Sequence, residues 1–222
     1  MGERHEATFT KRATRGDNLP GEAAALAWLA EAEKDGGIRV VCMLRASATE
    51  LVEERVRTGV PTAAAARRIG AALARTHAAG APWYGCAPAG WTGAPWHPLG
   101  RTPYVAASVA PTTLGSFYAE YRIRHHVRTL VGNGTFDRDA PTGGVLVDPM
   151  ACGGHAETDL AMLALFGCPY LDEIVAGYDE ASPLAGGWRE RVGLHQLAPL
   201  LHCVLFGGAY VPQTLAVARR YA

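Results

Sequence analysis

The sequence predicts an α+β fold in which a small strand-rich unit precedes a larger, mostly helical one. Three observations carry this. Strand-like runs with period-two alternation or rich in Val, Ile and Leu cluster before Gly59. Helix-period stripes dominate from Pro61 onward. The 222 residues, 49% of them hydrophobic, suffice for one large core or two small ones.

Taken in order, Glu6–Arg12 (EATFTKR) alternates small or apolar with polar residues and runs into the turn TRGDNLPG, which predicts a short strand. A helix follows. Asn18 or Asp17 can cap it, Pro20 suits its first turn, and Ala24, Trp28, Leu29 and Ala32 form an apolar stripe that stops at Gly36-Gly37. Ile38–Leu44 and Leu51–Val56 read as two further strands. The boundary between units is placed near Gly59, giving residues 1–59 and 60–222.

Pro61-Thr62 opens a helix with Ala66, Ile69, Leu73 and His77 on one face and Gly80 near its end. Ala81–Pro111 is dense in Gly, Pro and Trp and has no periodicity, so it reads as loop. Thr113–Val131 is predicted helical, with Phe117, Tyr121, Val127 and Leu130 inward; GNGTFDRDAPTGG breaks it before the short strand Val145–Val147. Helices are expected over Glu157–Phe166, Tyr170–Tyr178, Trp188 to about Phe206, and from Gln213 onward.

Charge narrows the function. With 21 Lys+Arg against 21 Asp+Glu, the net charge is zero, which argues against a bulk electrostatic grip on nucleic acid or an anionic membrane. A small neutral or zwitterionic substrate fits better. The five cysteines, Cys42, Cys86, Cys152, Cys168 and Cys203, form no CxxC pair, the first sixteen residues lack an apolar core, and the apolar runs are too short to span a bilayer. Reduced thiols in a cytoplasmic protein are the expectation.

The most informative stretch is Gly144–Met162, GVLVDPMACGGHAETDLAM. Asp148 ends a short apolar strand and is followed at once by Pro and a glycine loop, a setting that holds a carboxylate where a metal–phosphate group can approach, and that equally suits a turn cap. His155, Glu157 and Asp159 alternate just beyond. They form a metal-ligand set only through an unusual turn; the two acids also suit a helix N-terminus.

DPMACGGHAETDLAMLALFG and YDEASPLAGGWRERVGLHQLAPLLHCVLFGGAY resemble the C-terminal lobe of the fructosamine kinase (ketosamine-3-kinase) family, whose pattern reads DPA, GHRExDLAM and LFG, then PL, GW, R, YQL, LL.H and FG..Y. FTKR with PGEAAALAWL, LVEERV, LARTHAAGAP and FYAEYRI extend the resemblance in order along nearly the whole chain. It implies a protein-kinase-like, two-lobe α+β fold with ATP and Mg²⁺ between lobes. The implied reaction transfers the γ-phosphoryl group to a sugar hydroxyl of a small-molecule or protein-bound ketosamine, a glycated amine, in deglycation repair. Lys11 resembles the lysine on the ATP phosphates and Glu22 its ion-pair partner; Glu54, Arg55 and Val56 resemble the hinge whose backbone meets adenine; Asp148 resembles the Mg²⁺ carboxylate.

The family's HGDLWxGN loop, which supplies the carboxylate that orients the hydroxyl, has no counterpart in IRHHVRTLVGNGTFDRDAPTGGVLV between Arg122 and Asp148, so no residue is matched to the base. Only ten residues precede Lys11, where the family has a glycine-containing strand-turn-strand over the phosphates. The alternatives to a kinase are a pseudokinase-type binding protein and the product of an internal deletion or a misdrawn gene. A block lost from the larger lobe also implies self-association through the apolar runs Leu160–Phe166 and Leu200–Phe206.

Overall fold

The computed structural model describes residues 8–14, 17–56, 59–91, 113, 117, 154–206 and 208–221. The first unit is a three-stranded antiparallel sheet, β1 (Thr8–Arg12), β2 (Met43–Ala46) and β3 (Glu50–Glu54), in the order β1-β3-β2, backed by helix α1 (Leu19–Ala30) and a 3-10 turn over Glu31–Asp35. In register, Lys11 lies opposite Leu51 and Thr8 opposite Glu54. β3 alternates as a central strand should, Leu51 and Glu53 being buried between less buried neighbours.

Asn18 caps α1, its Oδ1 accepting the Gly21 N–H at 3.0 Å. Asp17 instead braces the preceding turn by accepting from the Thr14 N–H and hydroxyl. Of the expected stripe, Ala32 is buried and Leu29 packs on the first core, while Ala24 and Trp28 are only half-buried. Leu19, Ala23 and Leu26 pack with Val40, Val41 and Leu51, and Glu22 is buried beside them. An Ala-rich helix has little amphipathy to orient it, and the carboxylate at Glu22 conceals the face that is buried.

The second strand also begins later than expected, at Met43 rather than Ile38. Ile38, Val40 and Val41 are buried, but two of their amides bond side chains: Ile38 N–H donates to Thr76 Oγ1 at 2.8 Å and Val40 N–H to Glu33 Oε1 at 2.9 Å. Hydrophobicity located the segment correctly. The side-chain acceptors delay its entry into the ladder.

Among the described residues the helical unit comprises α2 (Ala63–Ala78), α3 (Ala156–Phe166), α4 (Leu171–Ala181), α5 (Trp188–Phe206), a 3-10 turn over Gly208–Tyr210, and α6 (Val211–Arg220). These bounds agree with the sequence expectation to within three residues at each end. Thr62 caps α2 through Oγ1 to the Ala65 N–H. Ala66, Leu73 and Ala74 of α2 form a second core with Leu160, Ile174 and Tyr178. Helices α2 and α4 meet at two glycines. A Cβ on Gly70 would lie 1.8 Å from the Ile174 carbonyl oxygen, and one on Gly177 would lie 2.0 Å from that of Arg67. Outside this crossing, Arg67 donates to Glu173 at 2.6 Å and also pairs with Glu180.

Of the apolar runs expected to drive association, Leu160, Ala161 and Leu200 are buried, while Phe166 is 52% exposed. Cys42, Cys168 and Cys203 are free thiols. No helix among the described residues is long and apolar enough to cross a membrane. Phe117 is buried, stacks on Tyr84 and donates its amide to the Thr113 carbonyl. The rest of the expected helix Thr113–Val131, the strand Val145–Val147 and Asp148 lie outside the described residues.

Candidate functional site

β1 and α1 bring Lys11 and Glu22 together. The Lys11 ammonium donates to both carboxylate oxygens of Glu22, at 3.0 and 2.9 Å. Glu22 is only 1% exposed, whereas Lys11 keeps 21% of its side-chain surface. The geometry follows from local structure: Lys11 leaves the strand opposite Leu51, and Glu22 sits in the first turn of α1 on the face turned to the sheet. The dipole at the N-terminal end of α1 favours the carboxylate. A lysine pinned by a buried carboxylate, with part of its surface open, is fixed in direction and can still reach an anion.

The three hinge candidates are not equivalent. Glu54 is the last residue of β3; its amide donates to the Cys42 carbonyl at 2.9 Å, and its carboxylate accepts from Cys42 N–H and Arg39. Sheet pairing therefore occupies the Glu54 amide. Arg55 and Val56 continue beyond the ladder, Val56 packing on the first core. Asp148, the candidate Mg²⁺ ligand, lies outside the described residues.

The expected trio His155, Glu157 and Asp159 is divided by the helix itself. Two residues advance a helix by about 200°, so Glu157 and Asp159 face opposite ways. Asp159 Oδ2 meets Nε2 of His77 on α2 at 2.9 Å, and His77 Nδ1 meets the Tyr178 hydroxyl of α4 at 2.9 Å. The consistent proton assignment has Tyr178 donating to Nδ1 and Nε2–H donating to Asp159. One histidine thus joins three helices.

Burial, followed by the charges of Asp159 and Glu157, pushes the Tyr178 hydroxyl up to about 12. A phenol held neutral in the fold binds its proton more tightly there than in the unfolded chain, so this contribution is complete below pH ~10 and lost as pH rises toward 12. Between pH 9 and 11, the unfolding free energy of the wild type should therefore fall more steeply than that of Tyr178→Phe, measured by urea denaturation. Equal slopes would show that Tyr178 ionises as it does in water.

Glu157 turns inward instead. It is 4% exposed and takes a two-point contact from Arg191 of α5, Nε to Oε2 at 2.9 Å and Nη2 to Oε1 at 2.6 Å. That guanidinium holds its carboxyl below the usual range despite burial. His155 caps α3, its Nδ1 accepting the Glu157 N–H at 3.3 Å, and its ring stacks on His195 at 5.0 Å between centroids. His195 Nδ1 lies 3.0 Å from Thr158 Oγ1, and its Nε2 lies 3.5 Å from Glu157 Oε2. Burial, then the neighbouring His155, lowers the His195 pKa and favours the neutral ring. His77, Arg191 and His195 escaped the sequence reading as site residues because their partners lie 34 to 101 positions away. The one local signal was polar residues on otherwise apolar helix faces.

The fructosamine kinase family profile matches residues 126–221. A probable ketoamine kinase of Vibrio parahaemolyticus is 40% identical over 72 residues, 32% of this chain and 25% of that protein. Another, from Enterococcus faecium, is 39% identical over 83 residues, 37% of this chain and 29% of that protein. The matched stretch thus spans less than a third of these curated relatives. Similarity to solved structures runs further. A Thermobifida fusca protein assigned as a fructosamine-3-kinase superposes with a TM-score of 0.79 at 34% identity, covering 96% of this chain and 84% of that one. A Haemophilus somnus protein with the same assignment shares the fold at a TM-score of 0.71 and 19% identity, covering 96% and 83%.

Proposed function

The chain belongs to the fructosamine kinase family and has its protein-kinase-like α+β fold, and on that premise we propose that it binds ATP and phosphorylates a sugar hydroxyl of a ketosamine. The observation that supports this best is the Lys11–Glu22 pair, with bonds of 2.9 and 3.0 Å between a strand and the helix behind it. Lys11 is the proposed phosphate contact and Glu22 its positioning residue. The backbone of Arg55 and Val56 is the proposed adenine edge, the amide of Glu54 being committed to the sheet. In this reading residues 1–59 form the nucleotide lobe and 60–222 the helical lobe.

Asp148 is the proposed ligand for Mg²⁺, which when bound neutralises charge on the phosphates. The donor chemistry of the chain suits this assignment: a carboxylate is a hard oxygen ligand, and the ordered Lys11 ammonium complements the phosphate charge. In the transfer, the acceptor oxygen forms a bond to Pγ, the bond from Pγ to the β-phosphate oxygen breaks, ADP departs and the hydroxyl proton is released. Reduced thiols at Cys42, Cys168 and Cys203 fit a cytoplasmic role in deglycation repair.

The second reading is a nucleotide-binding protein without transfer, favoured by the absence of an HGD sequence between Arg122 and Asp148. The test is ADP release from Mg-ATP by the full chain, with and without fructosyl-lysine. Ketosamine-dependent ADP formation, with phosphate recovered on the sugar, is expected for the kinase. Nucleotide binding with no phosphorylated sugar would overturn transfer and leave the binding protein.

A further inference from the structure

We propose that His155, Glu157 and His195 form a site for a divalent transition metal of the zinc type, with two imidazoles and one carboxylate as ligands. Each offers one ligand atom, and these atoms lie within 4.8 Å of one another at the junction of α3 and α5. The site is separate in chemistry and in residues from the proposed nucleotide site, which uses a lysine, backbone and a hard carboxylate. It is independent of the kinase reading.

Three features support a metal rather than a plain ion pair. The first is spacing. Bonds of about 2.1 Å in a tetrahedral zinc site put neighbouring ligand atoms about 3.4 Å apart. His195 Nε2 and Glu157 Oε2 are 3.5 Å apart, which matches that edge and is long for a charge-assisted hydrogen bond.

The second feature is the orientation of the ring. His195 Nδ1 sits 3.0 Å from Thr158 Oγ1, so an Nδ1–H donated to the hydroxyl turns the Nε2 lone pair toward Glu157. Metal-ligating histidines are held in this way by the second ring nitrogen.

The third is composition. His195 and Glu157 are each 4% exposed, and the His155 ring stacks against His195 at 5.0 Å. Two stacked imidazoles facing a buried carboxylate suit a borderline-soft ion better than Mg²⁺ or Ca²⁺, which take oxygen ligands. The family pattern quoted above has Tyr where this chain has His195, so the second imidazole distinguishes this sequence.

Arg191 is compatible with this role. It contacts both Glu157 oxygens, but a carboxylate offers about four lone-pair positions, and an arginine on a ligating carboxylate fixes its direction. Binding through His155 Nδ1 would replace only the 3.3 Å capping contact with the Glu157 amide. Three protein ligands leave a fourth position for water.

Titrating the tag-free full chain with Co²⁺ should give the visible bands of tetrahedral cobalt at one ion per chain, and one equivalent of Zn²⁺ should bleach them. Excess Mg²⁺ should leave them unchanged. His195→Tyr, a substitution sized for this position, and His155→Ala should each abolish the bands while keeping the wild-type circular dichroism. Thr158→Val should weaken binding at least tenfold. Absence of saturable cobalt binding would overturn the proposal. So would bands that survive in both histidine variants, because the ion would then be held elsewhere.

Discussion

Replacing Gly70 with alanine should lower the melting temperature by roughly 6–12 °C, as should the same change at Gly177. At each glycine the added methyl would meet a carbonyl oxygen of the opposite helix, at 1.8 Å on Gly70 and 2.0 Å on Gly177, and its nearest contacts include further backbone atoms within 3.0 Å. A flexible side chain could swing away from such a contact. A helix backbone can do so only if the two axes separate. Overpacking of this kind costs about 3 kcal/mol at the upper end of its usual range. In a chain of this size, each kcal/mol is about 2–4 °C.

Separation of the axes would also reach the contacts built around the crossing. Tyr178 follows Gly177 directly and carries the hydroxyl that meets His77, while Arg67, whose carbonyl is struck, also carries the ion pairs to Glu173 and Glu180. The alanine effect from better helix propensity has the opposite sign and is about 1 kcal/mol, too small to compensate. Thermal denaturation of Gly70→Ala and Gly177→Ala, singly and together, checks this. A change below 2 °C in both single variants would mean that the helices do not cross at this distance.

That crossing shows where sequence reading stops. A glycine inside a predicted helix is visible in the sequence, but its partner is 107 residues away and nothing local names it. The helices themselves were legible because burial of one face imposes a period on the sequence, as in α2, where Ala66, Leu73 and His77 mark the side that meets α3 and α4. The period fails where the buried face includes a charge. Glu22 is buried in α1 outside the apolar stripe, and Glu157 was read as a helix N-terminal acid or as one of a His155–Glu157–Asp159 metal set, without its partners Arg191 and His195. Lys11 and Glu22 came from family resemblance; each alone is an ordinary strand or helix-end residue. The His77–Asp159 and His195–Thr158 contacts depend on helix packing, which fixes them only after the chain has folded.

Saturating Mg-ATP should raise the melting temperature of the wild type by roughly 5–10 °C and that of Lys11→Met hardly at all. Ligand at about 100 times its dissociation constant adds about 2.7 kcal/mol to the folded state, and the size of the chain sets the conversion to temperature. Lys11 has to be tested with its partner, because the substitution acts twice. It removes the proposed phosphate contact, and it takes the ammonium away from a carboxylate that is 1% exposed.

Removing one member of a buried pair costs about 3 kcal/mol, toward the low end here since Lys11 keeps 21% exposure, so the apo form of Lys11→Met should melt lower than the wild type. Glu22→Gln in the same chain neutralises the buried carboxylate and should recover most of that loss. It should recover none of the nucleotide-dependent gain, because an amide at position 22 restores no cation at position 11. The gain is a difference between two melts of the same protein, so the apo cost cancels from it. If Lys11→Met with Glu22→Gln keeps the full shift, ATP is held without this pair, and Lys11 is a structural cation. If the double variant regains stability and loses the shift, the pair orders the lysine for a phosphate, since that lysine is then the one contact whose loss separates folding from binding.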